Sequence, residues 1–413
     1  MVIAVDLLVL GGGVQGLALM KELSGDYSAV LVGRSLRASE TLQFHGHFSS
    51  GWNAANLEAA KVFCQAASSW RSDLKEYNLP FQQNPFYVAL PEKTAASLEP
   101  NWEKAGIAFR KAPFPKPFDL SRLPAHEAYH FPEDLVCDGA PVIAQLQQRL
   151  AGALLEGEVT GVKIHDGVVQ EVAVRTGKET VTVTPGFVLA ACGAGNAALL
   201  QLMGLPREQV ARSQVARPLH MVLARGTALP AFSGYFSDLA VIGHPLDDGE
   251  KLWLITYNPP TPKFTEGAVE MARDPQVEPA VVRTSLEKLA TVLPDLGKVA
   301  SQCRWDVYVG WKTDAPGGNP DALLRLEYAK PYDVRSFGVK NFLAVWPNRW
   351  HLATPAAKDA GKVVRDTLKH GVAGPRLPAN PAPDPDAARM KWVRSDRRWQ
   401  SWAEFAKTYN FSG

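Results

Sequence analysis

A chain of 413 residues exceeds the roughly 250–300 at which a single hydrophobic core stops growing, so two closely associated domains are expected. Its 44 lysines and arginines nearly cancel its 42 acids, for a formal charge of +2, a balance that gives no electrostatic reason to expect nucleic acid or an anionic membrane as main partner, since such binding needs clustered positive charge. The four cysteines, Cys64, Cys137, Cys192 and Cys303, show no CxxC or similar spacing, so neither a disulfide framework nor a metal site is expected.

The opening stretch "MVIAVDLLVLGGGVQGLALM" is apolar, but it lacks a basic leader and a small-residue cleavage site, and Asp6 interrupts it. No other segment offers the ~18 uncharged apolar residues of a spanning helix. The expectation is a soluble cytoplasmic protein with a small-molecule substrate, no integral membrane segment and an open oligomeric state. Within that stretch, Asp6 to Leu10 reads as a strand and Leu17 to Leu23 as a helix, joined by "GGGVQG". Gly11, Gly13 and Gly16 fit GxGxxG, in which the glycines serve the tight turn, the approach of a diphosphate and helix-to-strand packing. A dinucleotide is expected there, with Val14 and Gln15 at the helix start.

The second strand, "SAVLVG", ends about twenty residues later, where an acid normally accepts from the adenosine ribose. Gly33 occupies that place, followed by Arg34 and Ser35. Arg34 fits the 2′-phosphate of NADP, or adenine contact in another dinucleotide, or a solvated loop position.

Three later segments bear on that choice. "SETLQFHGHFSSGWNAANLEAAKVFCQAASSWRSDLKEYNLPF", Ser39 to Phe81, is a small-residue and histidine-rich loop running into a long helix. It resembles a characteristic block of the FAD-dependent D-amino-acid oxidase (DAO) superfamily, in particular its glycerol-3-phosphate dehydrogenase and L-2-hydroxyglutarate oxidase branches. Thr41, Gly46 and Gly51 keep the block's spacing. Ser49 falls where the hydroxy-acid enzymes place a histidine, and the histidines here are His45 and His47.

The second segment runs from "DLVCDGAPVIAQLQQRL" to "FVLAACGAGNAALLQLMG" and reads as a helix from Pro141 to Leu155, Val-rich strands with turns at "HDG" and "RTGK", an apolar strand, a glycine turn and a helix. It resembles the second half of the superfamily's nucleotide-binding domain, which implies Val159 against adenine and Ala191 and Gly193 beside the diphosphate. A plain packing turn at Gly193 and Gly195 is the alternative. The third segment, "NFLAVWPNRWHLATPAAKDAGKVVRDTL", reads as strand, loop and helix, with Thr354 as N-cap and Pro355 in the first turn. In the superfamily this element faces the flavin pyrimidine, which implies cofactor contacts from Asn348, Arg349, Trp350 and His351. The loop lacks the family's usual glycines and is bulkier and more cationic.

The resemblance implies FAD as cofactor, no metal, and an α/β (α+β) fold: a Rossmann-like FAD-binding domain of the GR2/DAO type with an inserted antiparallel-sheet substrate domain. The expected division is 1–81, 132–212 and 340–371 for the discontinuous FAD-binding domain, 82–131 and 213–339 for the substrate domain, and 372–413 for a proline-rich linker and C-terminal helix. The alternating stretches "RPLHMVLARG", "LAVIGHPL", "KLWLITY" and "RWDVYVGWKT" supply the strands of the insert. In the tail, Trp399, Trp402 and Phe405 recur every three residues, with Ser395 as candidate cap, forming a stripe expected to pack on the protein's own body, with a dimer contact or a peripheral membrane foot as alternatives.

An alcohol needs a base to take its proton, whereas a neutral amine can release hydride without one. With Ser49 in the histidine position, the expected chemistry is hydride removal from a C–H bond next to an amine, possible substrates including aromatic amines and amino acids. The candidate catalytic residues are His47 as base, Arg349 as carboxylate anchor and Tyr308, with Lys312 second to them. Trp52, Trp311, Trp346 and Trp350 are candidate pocket walls. Covalent FAD on His45 or His47 stays open. The alternatives are a FAD-dependent 2-hydroxy-acid or alcohol dehydrogenase, an NADP-dependent reductase, and a flavin-binding protein without turnover.

Overall fold

The computed structural model of the chain describes residues 1–36, 40–54, 56–79, 81–82, 86–123, 125–259, 265–266, 275–314, 338–345, 349–369, 377 and 389–412. Its first sheet grows from the apolar run at the N-terminus. Val2–Leu10 lies between Ala29–Gly33 and Glu179–Ala190, both parallel to it, and Leu154–Glu156 and Phe342–Ala344 extend the parallel row on either side. A strand covered on both faces reads as a nearly continuous hydrophobic run, and alternate residues face alternate layers. Leu7 and Val9 pack with Leu17 and Met20 of the helix Val14–Leu23 and with Ala356, Ala360 and Val364 of the helix Ala353–Thr367. Leu8 and Leu10 pack on the opposite side with Ala197 and Leu200 and with valines of the antiparallel pair Glu158–His165 and Val168–Thr176. Because five strands run the same way, the loops after Leu10, Gly33, Glu156 and Ala190 gather at one edge of the sheet. In open α/β sheets that edge is where ligands bind.

The second sheet has ten strands among the described residues. Its centre is antiparallel, with Val215–Gly226 between Arg304–Asp314 and Lys251–Tyr257, followed by Leu239–Pro245 and Ser233–Phe236. One junction differs from the expected pattern: Ser233–Phe236 pairs in parallel with Phe86–Pro91, which carries the sheet into the segment His126–His130. The helix Pro279–Val292 covers one face, through Val282, Leu286 and Leu289 against Val222, Trp253 and Ile255. On the other face Leu219, Met221, Leu252 and Leu254 belong to the core that holds Leu7 and Val9. The two sheets therefore enclose a common apolar layer.

Several element ends differ from the sequence reading. The helix expected over Pro141 to Leu155 is Gly139–Arg149, because Leu154–Glu156 is drawn out as a strand beside Ala29–Gly33. Thr354 lies inside the last helix of the first domain and does not cap it, since a 3-10 turn, Trp350–Leu352, leads into Ala353. The tail cap is Ser401 in place of Ser395: Ser401 and Glu404 form a reciprocal capping box on Trp402–Thr408. Gln400–Ser401 adds to the edge of the second sheet, and Phe405 is fully buried beside Trp305, with ring centroids 5.7 Å apart. Removing that ring opens a cavity, so Phe405→Ala is expected to lose about 3–5 kcal/mol, read as a lower urea midpoint in the transition followed by intrinsic tryptophan fluorescence.

Candidate functional site

A cavity of ≈ 1060 Å³ opens at the carboxyl edge of the parallel sheet and continues to the second sheet. It is larger than the ~300–1,000 Å³ usual for a single small ligand, enough for a dinucleotide and a substrate together. Gly11, Gly13, Val14 and Gln15 line it, with Arg34 and Ser35, Thr41, Gly46 and His47, Val159, Ala191 and Gly193, and Arg349, Trp350 and His351. Of the expected cofactor residues, Gly16 is absent from this lining and works from behind it, and Asn348 lies outside the described residues, as do Trp346 and Pro347.

Close backbone approach builds the turn. Gly11 has φ +115, and a methyl group on it would sit 2.2 Å from the Ala191 carbonyl oxygen. A methyl on Gly16 would sit 1.8 Å from the Gly11 carbonyl oxygen, so this glycine sets how tightly the helix abuts the strand. The Ala191 amide donates to the Leu10 carbonyl at 2.6 Å, and the Val14 amide donates to Thr41 Oγ1 at 3.1 Å. The loop after Thr41 is thereby tied to the helix start. Gly157 donates to the Gly33 carbonyl at 2.9 Å, which brings Glu158 and Val159 alongside Arg34. Glu158 is ion-paired with Arg175. Arg34, Ser35 and the main chain at Gly157 and Val159 therefore line this end of the cavity together.

The histidine loop is held from several sides. The His45 carbonyl accepts from His244 Nε2 at 3.0 Å, and the Gln43 carbonyl accepts the Tyr308 hydroxyl at 2.5 Å. Tyr308 was expected at the substrate; its hydroxyl instead faces this carbonyl and the residue does not line the cavity, so its place is that of a support for the loop. Burial pushes the His244 pKa down to about 4, against the bond to His45. His45 Nδ1 accepts the His47 amide at 3.3 Å, which leaves the proton of a neutral His45 on Nε2. Burial, with the fields of His47, His244, Arg349 and Lys312, keeps the His45 pKa well below the usual histidine range. His47 Nε2 lies 2.8 Å from Asp134 Oδ2, and its ring stacks on Phe86 at 4.1 Å.

Arg349 leads into the 3-10 turn Trp350–Leu352. Its Nη1 and Nη2 donate to the Asn53 amide oxygen at 3.0 and 2.9 Å once that amide is turned toward them, and the guanidinium lies over Phe63, 5.4 Å from its centroid. Lys312, Thr256 and Tyr235 complete the wall from the second sheet. Trp52 and Tyr235 are 5.2 Å apart between ring centroids, and burial raises the Tyr235 phenol, with Arg349 pulling it the other way. Trp311, expected in the wall, is not among the lining residues. The other two carboxylates near the cavity, Glu158 and Asp238, pair with Arg175 and Lys288. Asp134, Asn53 and Tyr235 are residues the sequence reading missed. Asn53 follows the quoted "SSGW" and was within its reach, but Asp134 and Tyr235 come from distant strands and carry no local signature.

Four lining residues keep buried polar atoms with no protein partner among the described residues: both amide atoms of Gln15, Thr313 Oγ1, the Trp350 indole nitrogen and both ring nitrogens of His351. Buried polar groups are paired in stable structures, so these atoms belong with a polar ligand, and FAD, with a diphosphate, a ribityl chain and a ring rich in N and O, fits them. Burial keeps His351 well below the usual range, so it meets that ligand as a neutral ring.

The family profile described as DAO, FAD dependent oxidoreductase, matches residues 6–326. The chain belongs to the FAD dependent oxidoreductase (DAO) family. It is an FAD-dependent enzyme, and the nicotinamide coenzyme that Arg34 left open gives way to FAD. Among solved structures, it is similar to the FAD dependent oxidoreductase PA4991 from Pseudomonas aeruginosa, at 22% identity and a TM-score of 0.65 over 93% of this chain and 98% of that one. It is also similar to L-proline dehydrogenase from P. horikoshii, at 14% identity and a TM-score of 0.67 over 89% and 95%. Glycine oxidase from Geobacillus kaustophilus gives 15% identity and a TM-score of 0.63 over 90% and 96%. At these identities the likeness shows the shared DAO fold. No curated protein matches the chain. No helix among the described residues is long and apolar enough to cross a membrane.

In this DAO family member, Gly16→Ala drives a methyl into the Gly11 carbonyl. The expected outcome is protein that keeps its far-ultraviolet circular dichroism but is purified with less than a tenth of the wild-type flavin, measured as absorbance near ~450 nm against that at 280 nm.

Proposed function

We propose that this chain oxidises the C–H bond next to the nitrogen of an amino acid or a related small amine bearing a carboxylate. The observation that carries the reading is Arg349, a guanidinium locked by the Asn53 amide at 3.0 and 2.9 Å in a cavity walled by Trp52, Tyr235 and Trp350. A guanidinium held in place pairs with a carboxylate without having to order itself on binding, and aromatic walls exclude water around the bond that reacts. Lys312 from the second sheet adds a further cation to the same cavity. The neighbours in structure space named L-proline dehydrogenase, L-amino acid deaminase and glycine oxidase support the same substrate class.

Bound FAD supplies the electron sink that accepts the hydride. The chain's own residues do the rest. Arg349 anchors the carboxylate, and the neutral His45 offers Nε2–H as a donor. Gln15 and His351 hold polar atoms ready for the cofactor, and Tyr308 and His244 fix the loop that carries both cavity histidines. The second reading is a 2-hydroxy acid as substrate, in line with the resemblance to the hydroxy-acid branches, and the specific observation in its favour is a histidine, His47, backed by a carboxylate.

Anaerobic mixing of the holoenzyme with glycine, both enantiomers of proline and phenylalanine, and both enantiomers of lactate and 2-hydroxyglutarate separates the two. Bleaching of the ~450 nm band by an amino acid and by none of the hydroxy acids is expected, and the reverse pattern contradicts the reading. Arg349→Leu should raise the concentration for half-maximal bleaching rate by about 10- to 10²-fold, the loss of a charge-assisted pair worth ~1.5–3 kcal/mol, with Arg349→Lys between the two.

A further inference from the structure

We propose that Asp134 and His47 form a proton-accepting pair, in which Asp134 is the positioning residue and His47 Nδ1 takes a proton from the ammonium group of the bound amino acid. This rests on the amino-acid reading above. Asp134 belongs to the turn between His126–His130 and Leu135–Cys137, about eighty residues from the loop it serves, and its carboxylate is fully buried. Its Oδ2 faces His47 Nε2 at 2.8 Å and the Trp52 indole nitrogen at 2.9 Å. Its Oδ1 accepts from the Ser50 amide at 2.9 Å and from Ser50 Oγ at 2.5 Å. A carboxylate so placed only accepts, so the proton of a neutral His47 sits on Nε2 and its lone pair on Nδ1. Nδ1 has no protein partner among the described residues, and His47 lines the cavity. Phe86, stacked 5° from parallel, holds the plane of the ring.

His45 makes the contrast. Its Nδ1 is spent on the His47 amide, so it can only donate into the cavity. One short loop thus presents a donor and an acceptor side by side, with ring centroids 6.1 Å apart.

In the step proposed, an N–H bond of the substrate ammonium breaks and an Nδ1–H bond forms. The amine lone pair is freed, and the positive charge moves to the imidazole, where Asp134 opposes it. That proton returns to solvent after the product leaves. No electrons are exchanged in this step.

The charged and titratable groups around His47 are Asp134, Arg349, His45, His351 and Tyr235. Burial, the largest influence, lowers its pKa, Asp134 raises it, and Arg349 lowers it again. The neutral, accepting form therefore prevails at neutral pH, and flavin reduction should be lost as pH falls through the His47 pKa, below the usual histidine range.

The test is the pH profile of anaerobic flavin reduction in the holoenzyme, using the amino acid of the panel above that bleaches the wild type fastest. Asp134→Asn should lower the plateau rate by ~10²–10⁴-fold and move the acidic limb to lower pH, because the group that raises the His47 pKa is gone. Ser50→Ala removes a donor from the same carboxylate and should leave the limb where it is. An Asp134→Asn profile whose limb coincides with the wild type, or equal shifts in both variants, overturns the proposal. A readout free of substrate separates its failure from that of the amino-acid reading: in ¹⁵N-histidine-labelled holoenzyme, the His47 signal, assigned by its loss in His47→Gln, should show Nε2–H in the wild type and a shift toward Nδ1–H in Asp134→Asn. An unchanged tautomer refutes the positioning role even if amino acids bleach the flavin, and bleaching by hydroxy acids alone refutes the ammonium step even if the tautomer shifts.

Discussion

Between Gly11 and Ala191 there is no room for a methyl group, and between Gly16 and Gly11 there is less. That crowding forces the first turn of the chain, the start of its first helix and the end of the strand Glu179–Ala190 into one place. The parallel order of the sheet then delivers the other loops to the same edge. Everything chemical in the cavity depends on this meeting. Thr41 fastens to the helix start, which sets where the loop with His45 and His47 begins, and the second sheet grips the carbonyls of that loop through His244 and Tyr308.

The second constraint is electrostatic. The cavity holds Arg349 and Lys312 while its lining carboxylates are engaged elsewhere, and the histidines among them are kept neutral by burial and by those cations. A site of this kind favours an anionic ligand group and offers neutral rings as hydrogen-bond partners. Asp134 is the exception: a carboxylate behind the wall, satisfied by four donors, of which His47 and Trp52 line the cavity.

Much of the architecture was legible in the sequence because its signals are local. An apolar run, a GxGxxG turn and a helical repeat fix the first unit within 23 residues, and the strands of the second sheet announce themselves by alternation. The boundaries that shifted did so for tertiary reasons: Leu154–Glu156 became a strand because Ala29–Gly33 had an open edge, and the tail helix began at Ser401 because its residues 400–401 pair with Arg304–Asp314. The site was half legible. Gly11, Arg34, His47 and Arg349 each sit in a motif or a marked loop, whereas the roles of Tyr308, Asp134 and Tyr235 depend on which side chain faces which across sheets far apart in sequence. Tyr308 illustrates the limit, since its strand was readable and the direction of its hydroxyl was not.

A crystal structure of the holoenzyme with benzoate, a carboxylate that cannot be oxidised at a neighbouring C–H bond, would show whether cofactor and carboxylate meet at Arg349. The FAD diphosphate is expected on the turn from Gly11 to Gly16, the flavin between the two sheets, and the benzoate carboxylate on the Arg349 guanidinium with His47 Nδ1 facing the same space. A flavin ring directed away from the histidine loop, or benzoate bound apart from Arg349, would contradict that arrangement.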